Sequence, residues 1–102
     1  MIHAEISIYP IGTSTTSASF YIAKAIEVLK DIKEVRYQIN PMGTILESKN
    51  IEQIYFAAKS MMEVVHNLGV GRVEVILKID SRRDKMKSME EKIDSINKYF
   101  KE

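Results

Sequence analysis

An α+β fold, a four-stranded antiparallel sheet with helices against it, is what this 102-residue sequence predicts. Three features carry the prediction. Apolar and polar residues alternate along Ile2–Pro10 and again along Val70–Asp80, the period of half-buried strands. Two stretches between strand-like runs repeat apolar residues every three or four positions, the period of a helix lying on a core. Asn40-Pro41-Met42-Gly43 separates two short strand-like runs and reads as a hairpin turn.

Each element follows in order. The first strand sets Ile2, Ala4, Ile6 and Ile8 on one face and His3, Glu5, Ser7 and Tyr9 on the other. Pro10 and Gly12 end it, and Thr13–Thr16 form a hydroxyl-rich loop. Thr16 or Ser17 is placed to cap a helix over Ala18–Asp31, with Ala18, Ile22, Ala25, Ile26 and Leu29 as its stripe. Strands over Val35–Asn40 and Thr44–Ser48 flank the turn. Pairing Asn40 with Gly43 sets Ile39 opposite Thr44, Tyr37 opposite Leu46 and Arg36 opposite Glu47. Tight hairpins favour primed turns, which Pro41 cannot adopt, so the register contains a conflict. Asn50 and Gln53 stand at capping-box spacing ahead of a second helix that runs to about Leu68, where Gly69 stops it. After the Val70–Asp80 strand and the charged Ser81–Asp84, a last helix carries Met86, Met89, Ile93, Ile96 and Phe100.

The order βαββαβ, then a further helix, is the ferredoxin-like split βαβ arrangement. Right-handed crossovers place the first and third strands in the centre, with both crossover helices on one face. The other face is then open, showing among others His3, Glu5, Tyr9, Ile45, Glu47 and Ile76. The last helix has an apolar stripe but no place on the covered face. With the thin core of so small a domain, it predicts self-association. The same reading sets Pro10–Thr13 beside Glu47–Ser48 and the hairpin turn at the far end near Asp80 and Arg82. The two groups are then about 17 Å apart.

Composition excludes several functions. Fifteen Lys+Arg balance fourteen Asp+Glu, a formal charge of +1 without the basic excess of a nucleic-acid binder. With no Cys, thiolate metal sites and a Cys nucleophile are excluded. His3 and His66 lie far apart at no metal-pair spacing, and each reads first as an ordinary core or surface residue. Gly12 belongs to no phosphate-loop pattern. No nucleophile–base pair stands at motif spacing, so an enzyme is the weakest of the functional readings. Arg36 and Glu47 have a plain reading as a cross-strand ion pair, and Asp80–Asp84 as either a solvated strand end or an inter-subunit salt network. Ser19–Leu29, the longest apolar stretch, is interrupted by Lys24 and Glu27 and is too short for a membrane span. The N-terminus shows no basic-then-apolar leader, which makes the cytoplasm the expected location.

Three segments carry a resemblance. Ile6–Tyr21, ISIYPIGTSTTSASFY, is similar to the opening of the small thiamine-binding, YkoF-like proteins, matching at Pro10, Gly12, Thr13, Ser17, Ser19 and Tyr21. Tyr37–Glu47, YQINPMGTILE, resembles that family's Asn-Pro-Met-Gly-Thr stretch with its following Glu. Lys78–Asp84, KIDSRRD, matches with Asp80, Arg82 and Asp84 in place. The resemblance implies a non-catalytic cytosolic homotetramer of ferredoxin-like fold that binds thiamine or its hydroxymethylpyrimidine part; the +1 charge and the short apolar stretch make a nucleic-acid or membrane partner unexpected. Thiamine has a flat aminopyrimidine and a cationic thiazolium, and wants a surface to stack on, a carboxylate and a few fixed polar groups. On this reading Tyr9, Tyr37 and Met42 supply surface, Glu47 the charge, and Asn40, Thr44, Thr13 and Ser17 polar contacts, with Pro10 and Gly12 shaping the loop. Tyr37 conflicts with its role, because alternation turns it toward the helices. The competing reading keeps the fold and the oligomer but has no ligand: a regulatory or assembly module whose loop motifs serve packing.

Overall fold

The computed structural model describes residues 1–101. Strand β1 (Ile2–Ile11) leads to helix α1 (Ser19–Glu27), which tightens into a 3₁₀ turn over Val28–Asp31. The hairpin β2 (Arg36–Asn40) and β3 (Gly43–Ser48) comes next, followed by α2 (Ile51–Asn67), β4 (Arg72–Ser81) and α3 (Met89–Asn97). The sheet order is β2-β3-β1-β4, with β1 antiparallel to both neighbours and β2 antiparallel to β3. The ferredoxin-like arrangement is confirmed.

The hairpin keeps the expected register, Arg36 opposite Glu47 through Asn40 opposite Gly43. Positive φ occurs only at Gly12 and Gly69 among the described residues, so the Pro41–Met42 turn is unprimed. Two tertiary contacts hold it against its unfavoured twist. The Ser7 hydroxyl donates to the Met42 carbonyl at 3.0 Å. Gly43 lies flush on β1, where a Cβ would stand 3.2 Å from the Ile6 carbonyl oxygen and 3.1 Å from Ser7 Oγ.

Alternation decides what is buried. Ala4, Ile6, Ile8 and Leu46 meet Ala25, Ile26 and Leu29 of the first helical segment and Ile54, Ala57, Met61 and Val65 of α2. Leu46, Ile54 and Val65 are wholly inaccessible. Val73, Val75, Leu77 and Ile79 of β4 pack at the margin of this core, as does Tyr37, which faces the helices as its position in the alternation requires.

Three expectations are corrected. First, β1 and β3 run antiparallel as the predicted sheet requires, but this sets Ile6 opposite Thr44 and Ile2 opposite Ser48, not Pro10–Thr13 beside Glu47–Ser48. The end of β1 therefore lies beside the hairpin turn, and Glu47 beside His3. The reason is topological: a βα crossover makes β1 and β2 parallel, and a tight hairpin then sends β3 back against both. Second, α1 begins at Ser19 with Ala18 at its cap position and no side-chain cap. Ser17 Oγ accepts only a long bond from the Ser19 N–H, at 3.5 Å, and donates to the Ser19 hydroxyl at 3.4 Å, while the Thr13 and Thr15 hydroxyls bond within the loop. Third, α3 is not spare. It lies across the open face at the His3–Glu47 end and buries both residues beneath it.

Candidate functional site

The antiparallel register brings half of the residues singled out from the sequence to one place. Beyond Ile6 β1 has no β3 partner, so Ser7–Ile11 form one wall of a cleft closed by the hairpin turn and α1. The cleft has a volume of about 360 Å³, and Tyr9, Pro10, Asn40, Met42 and Thr44 all line it together with Ile22 and Ile39. Its lips are apolar and unprotected: Met42 is 84% exposed and Ile39 64%. Thr44 is the opposite case. It is buried, yet its hydroxyl has no hydrogen-bond partner among the described residues. No buried side-chain polar atom there lacks a partner, so this hydroxyl keeps contact with open space, and the cleft is the space that Thr44 lines.

The other singled residues fall outside the cleft lining. Gly12 takes a left-handed φ of 78°, which lets the chain turn out of β1. The Thr13 hydroxyl donates to the Thr15 carbonyl at 2.7 Å, and the Ser17 N–H donates to Thr15 Oγ1 at 3.2 Å. Both residues thus hold a loop that leads into α1. Tyr37 faces the core.

Glu47 lies on the opposite face, in a cluster of its own. Only 2% exposed, its carboxylate receives three hydrogen bonds. Arg36 Nη1 donates to Oε1 at 2.8 Å, and His3 Nε2 and the Met89 N–H donate to Oε2 at 2.9 and 2.7 Å. Burial pushes the Glu47 carboxyl up, but the His3 and Met89 hydrogen bonds and the Arg36 charge outweigh it, holding the group below its ordinary value. Arg36 Nη2 then bridges to both Glu90 oxygens at 3.0 Å, while Ser88 and Glu91 complete a capping box on the same helix. Lys92 pairs with Asp80, which holds that carboxyl down. Glu47 is thus the clamp by which the sheet grips the first turn of α3, whose N–H groups and dipole favour an anion there.

Sequence reasoning found the Arg36–Glu47 pair and missed the rest of the cluster. His3 read as an ordinary residue, yet β1–β3 pairing sets it opposite Glu47 and β1–β4 pairing opposite Asp80. The signal was present in the alternation, which puts all three on one face. What it lacked was which strand ends meet across the antiparallel sheet. Among the described residues, no group of three or more His, Cys, Asp or Glu is placed to hold a metal ion, and no helix is long and apolar enough to cross a membrane.

Topology, sheet order and the cleft beside the hairpin define the class: a ferredoxin-like α+β domain with a small-molecule-sized cleft at the open flank of its first strand. The chain belongs to the family of thiamine-binding proteins, whose family model matches residues 4–97. It is 43% identical to a UPF0045 protein of Methanothermobacter thermautotrophicus, over 94% of this chain and 96% of that one. It is 34% identical to a UPF0045 protein of Bacillus subtilis, over 98% of each. The crystal structure of a hypothetical protein from Methanocaldococcus jannaschii superposes with a TM-score of 0.85 at 41% identity, covering 94% of this chain and 95% of the other.

Proposed function

We propose that this protein binds thiamine, or its hydroxymethylpyrimidine part, without catalysing a reaction, in the cleft between the end of β1, the hairpin turn and α1. The observation that carries the reading is the meeting of Tyr9, Pro10, Asn40, Met42 and Thr44 around one cavity, with the Thr44 hydroxyl unpartnered inside it. The chemistry is suitable. Tyr9 and Met42 offer faces for a flat ring, and the Thr44 hydroxyl and Asn40 amide offer fixed polar contacts. Family membership supports the same ligand. Exposed Met42 and Ile39 at the lips, and Ile76 on the open sheet face, support a site completed by a second subunit; the assembly we propose is a homotetramer, in the cytoplasm.

A ligand-free assembly module is the second reading. The observation favouring it is the row of exposed apolar residues on and after α3, including Ile93, Ile96 and Phe100. Titration calorimetry with thiamine separates the two. The binding reading expects saturable heat, weakened about two- to ten-fold in Thr44→Val by the loss of one neutral hydrogen bond. The module reading expects no heat from the wild-type protein.

A further inference from the structure

The two edges of the sheet differ. At one edge β2 is only five residues long, whereas at the other β4 runs for ten, Arg72–Ser81, and among the described residues pairs only with β1. No Pro or Gly interrupts β4, and its register with β1 is constant along its length, so no bulge twists this edge away. A long unbroken edge presents a row of unpaired N–H and C=O groups that another strand can take up. The core beneath it is also unfinished. Val73, Val75, Leu77 and Ile79 are only partly buried, while Ala4, Ile6 and Ile8 of neighbouring β1 are buried. Tyr55 of α2, 55% exposed, lines a recess with Ile79 at the same margin.

On the open face β4 carries Arg72, Glu74, Ile76, Lys78 and Asp80, and the signs of the charges mirror one another about Ile76. Two like edges related by a two-fold axis run antiparallel, so a second copy presents the same strand in reverse. With the axis at Ile76, Arg72 falls opposite Asp80 and Glu74 opposite Lys78, each pair occurring twice. Ile76, 61% exposed, then meets its own copy. On the core face Val73 falls opposite Ile79 and Val75 opposite Leu77, which continues the apolar layer. Other registers fail. A shift by one residue sets the core face of one copy level with the open face of the other. An axis at Val75 sets Arg72 opposite Lys78, and one at Leu77 sets Glu74 opposite Asp80, like charge against like. Within the chain these charges are loosely held: Arg72 lies 3.5 Å from Glu74, and Lys78 4.0 Å from Glu5.

We infer that a second copy of this chain adds its β4 to the β4 of the first, antiparallel about a two-fold axis at Ile76, joining two four-stranded sheets into one. The pairing gives an edge and a register to the self-association proposed above and rests on that reading, but it takes no support from thiamine binding. Free main-chain groups supply the ladder, and the mirrored charges select the register and the partner.

The chain has no Cys, so an introduced thiol is unique. Directly opposite residues of antiparallel strands hold their Cβ atoms about 4.5–5.5 Å apart, a small adjustment from the roughly 3.5–4.5 Å of a disulfide. Under mild oxidation of the full chain, Ile76→Cys is expected to cross-link to twice the 11.7 kDa mass on a non-reducing gel. Glu74→Cys, about 13 Å from its own copy, is expected to stay uncross-linked. Combining Glu74→Cys with Lys78→Cys is expected to restore the cross-link.

Charge reversal tests the register without a thiol. Glu74→Lys or Lys78→Glu alone makes both symmetric pairs repulsive and is expected to raise the concentration of half-dissociation on dilution about ten-fold. Both changes together are expected to return it to within about three-fold of wild type. Inside one chain the double change sets like charges beside Arg72 and Glu5, so a purely intramolecular role gives no rescue. A double change without rescue overturns the pairing, as does Glu74→Cys cross-linking as readily as Ile76→Cys. So does an Ile76→Cys that stays uncross-linked, and light scattering of that sample then tells whether another surface assembles the chain. Absence of heat with thiamine tells against the ligand reading alone and leaves these results standing.

Discussion

Replacing Glu47 by Gln keeps the side chain's shape and removes its charge. The amide accepts hydrogen bonds on one side only, whereas Glu47 has donors on both: Arg36 at Oε1, His3 and Met89 at Oε2. Whichever way the amide turns, its NH₂ faces a donor. At least one charge-assisted bond to a buried carboxylate is lost, a cost of about 1.5–3 kcal/mol. For a domain of this size each kcal/mol moves the Tm by roughly 4–8 °C, with the lower end fitting a chain near 100 residues. Glu47→Gln is therefore expected to melt about 6–15 °C below wild type at pH 7. The difference has a pH signature. Donors to Glu47 depress its folded-state value below the ordinary 4.5, so its stabilisation is full above the unfolded value and is lost as pH falls through the folded one. Circular-dichroism melts of both proteins should show the full gap at pH 7 and a shrinking gap as pH drops below about 4. Equal melts at pH 7, or a gap undiminished at pH 2, would refute the reasoning. Thiamine affinity of the same variant is expected to stay within about two-fold of wild type, since Glu47 stands outside the hairpin cleft. A ten-fold loss with an unchanged melt would make Glu47 a ligand group instead.

Other predictions concern packing and assembly. Leu46→Ala empties a wholly buried position and should cost about 2–5 kcal/mol by urea denaturation, in the range of large-to-small core changes. Gly43→Ala brings a methyl group to 3.2 Å from the Ile6 carbonyl oxygen, and backbone cannot yield as a side chain can; about 1–3 kcal/mol of destabilisation is expected in the same assay. Light scattering should give a mass near four times the 11.7 kDa chain, and a monomer at micromolar concentration would remove the tetramer from the reading. Ending the chain before Lys85 uncovers His3 and Glu47 and removes exposed Ile93, Ile96 and Phe100, so a lower oligomeric order is expected. An unchanged tetramer would assign the assembly to the sheet face alone.

Local pattern determined much of this protein. Alternation along Ile2–Pro10 and Val70–Asp80 declared two strands and, within each, the residues that face the helices, since a period of two leaves no other choice. Asn40–Gly43 declared the hairpin and its register, because two flanking strands closed by a two-residue loop allow one pairing. Asn50 declared the start of α2, where its side chain accepts from the Glu52 N–H at 3.1 Å. The residues of the hairpin cleft were legible in the same way, as individual positions.

Tertiary structure decided which of those positions meet. Strand direction follows from the crossover and the hairpin together, not from any one segment's pattern; an antiparallel sheet is expected, yet Pro10–Thr13 is expected beside Glu47–Ser48, a strand-length from the hairpin turn. The observed sheet puts Tyr9, Pro10, Asn40 and Met42 around one cleft and moves Glu47 to the other end. The place of α3 was undetermined for a different reason. An amphipathic stripe says that a helix has a face to bury, not against what. Its position rests on long-range bonds from Glu47 to the Met89 N–H and from Arg36 to Glu90, partners 42 and 54 residues apart, which no local period encodes.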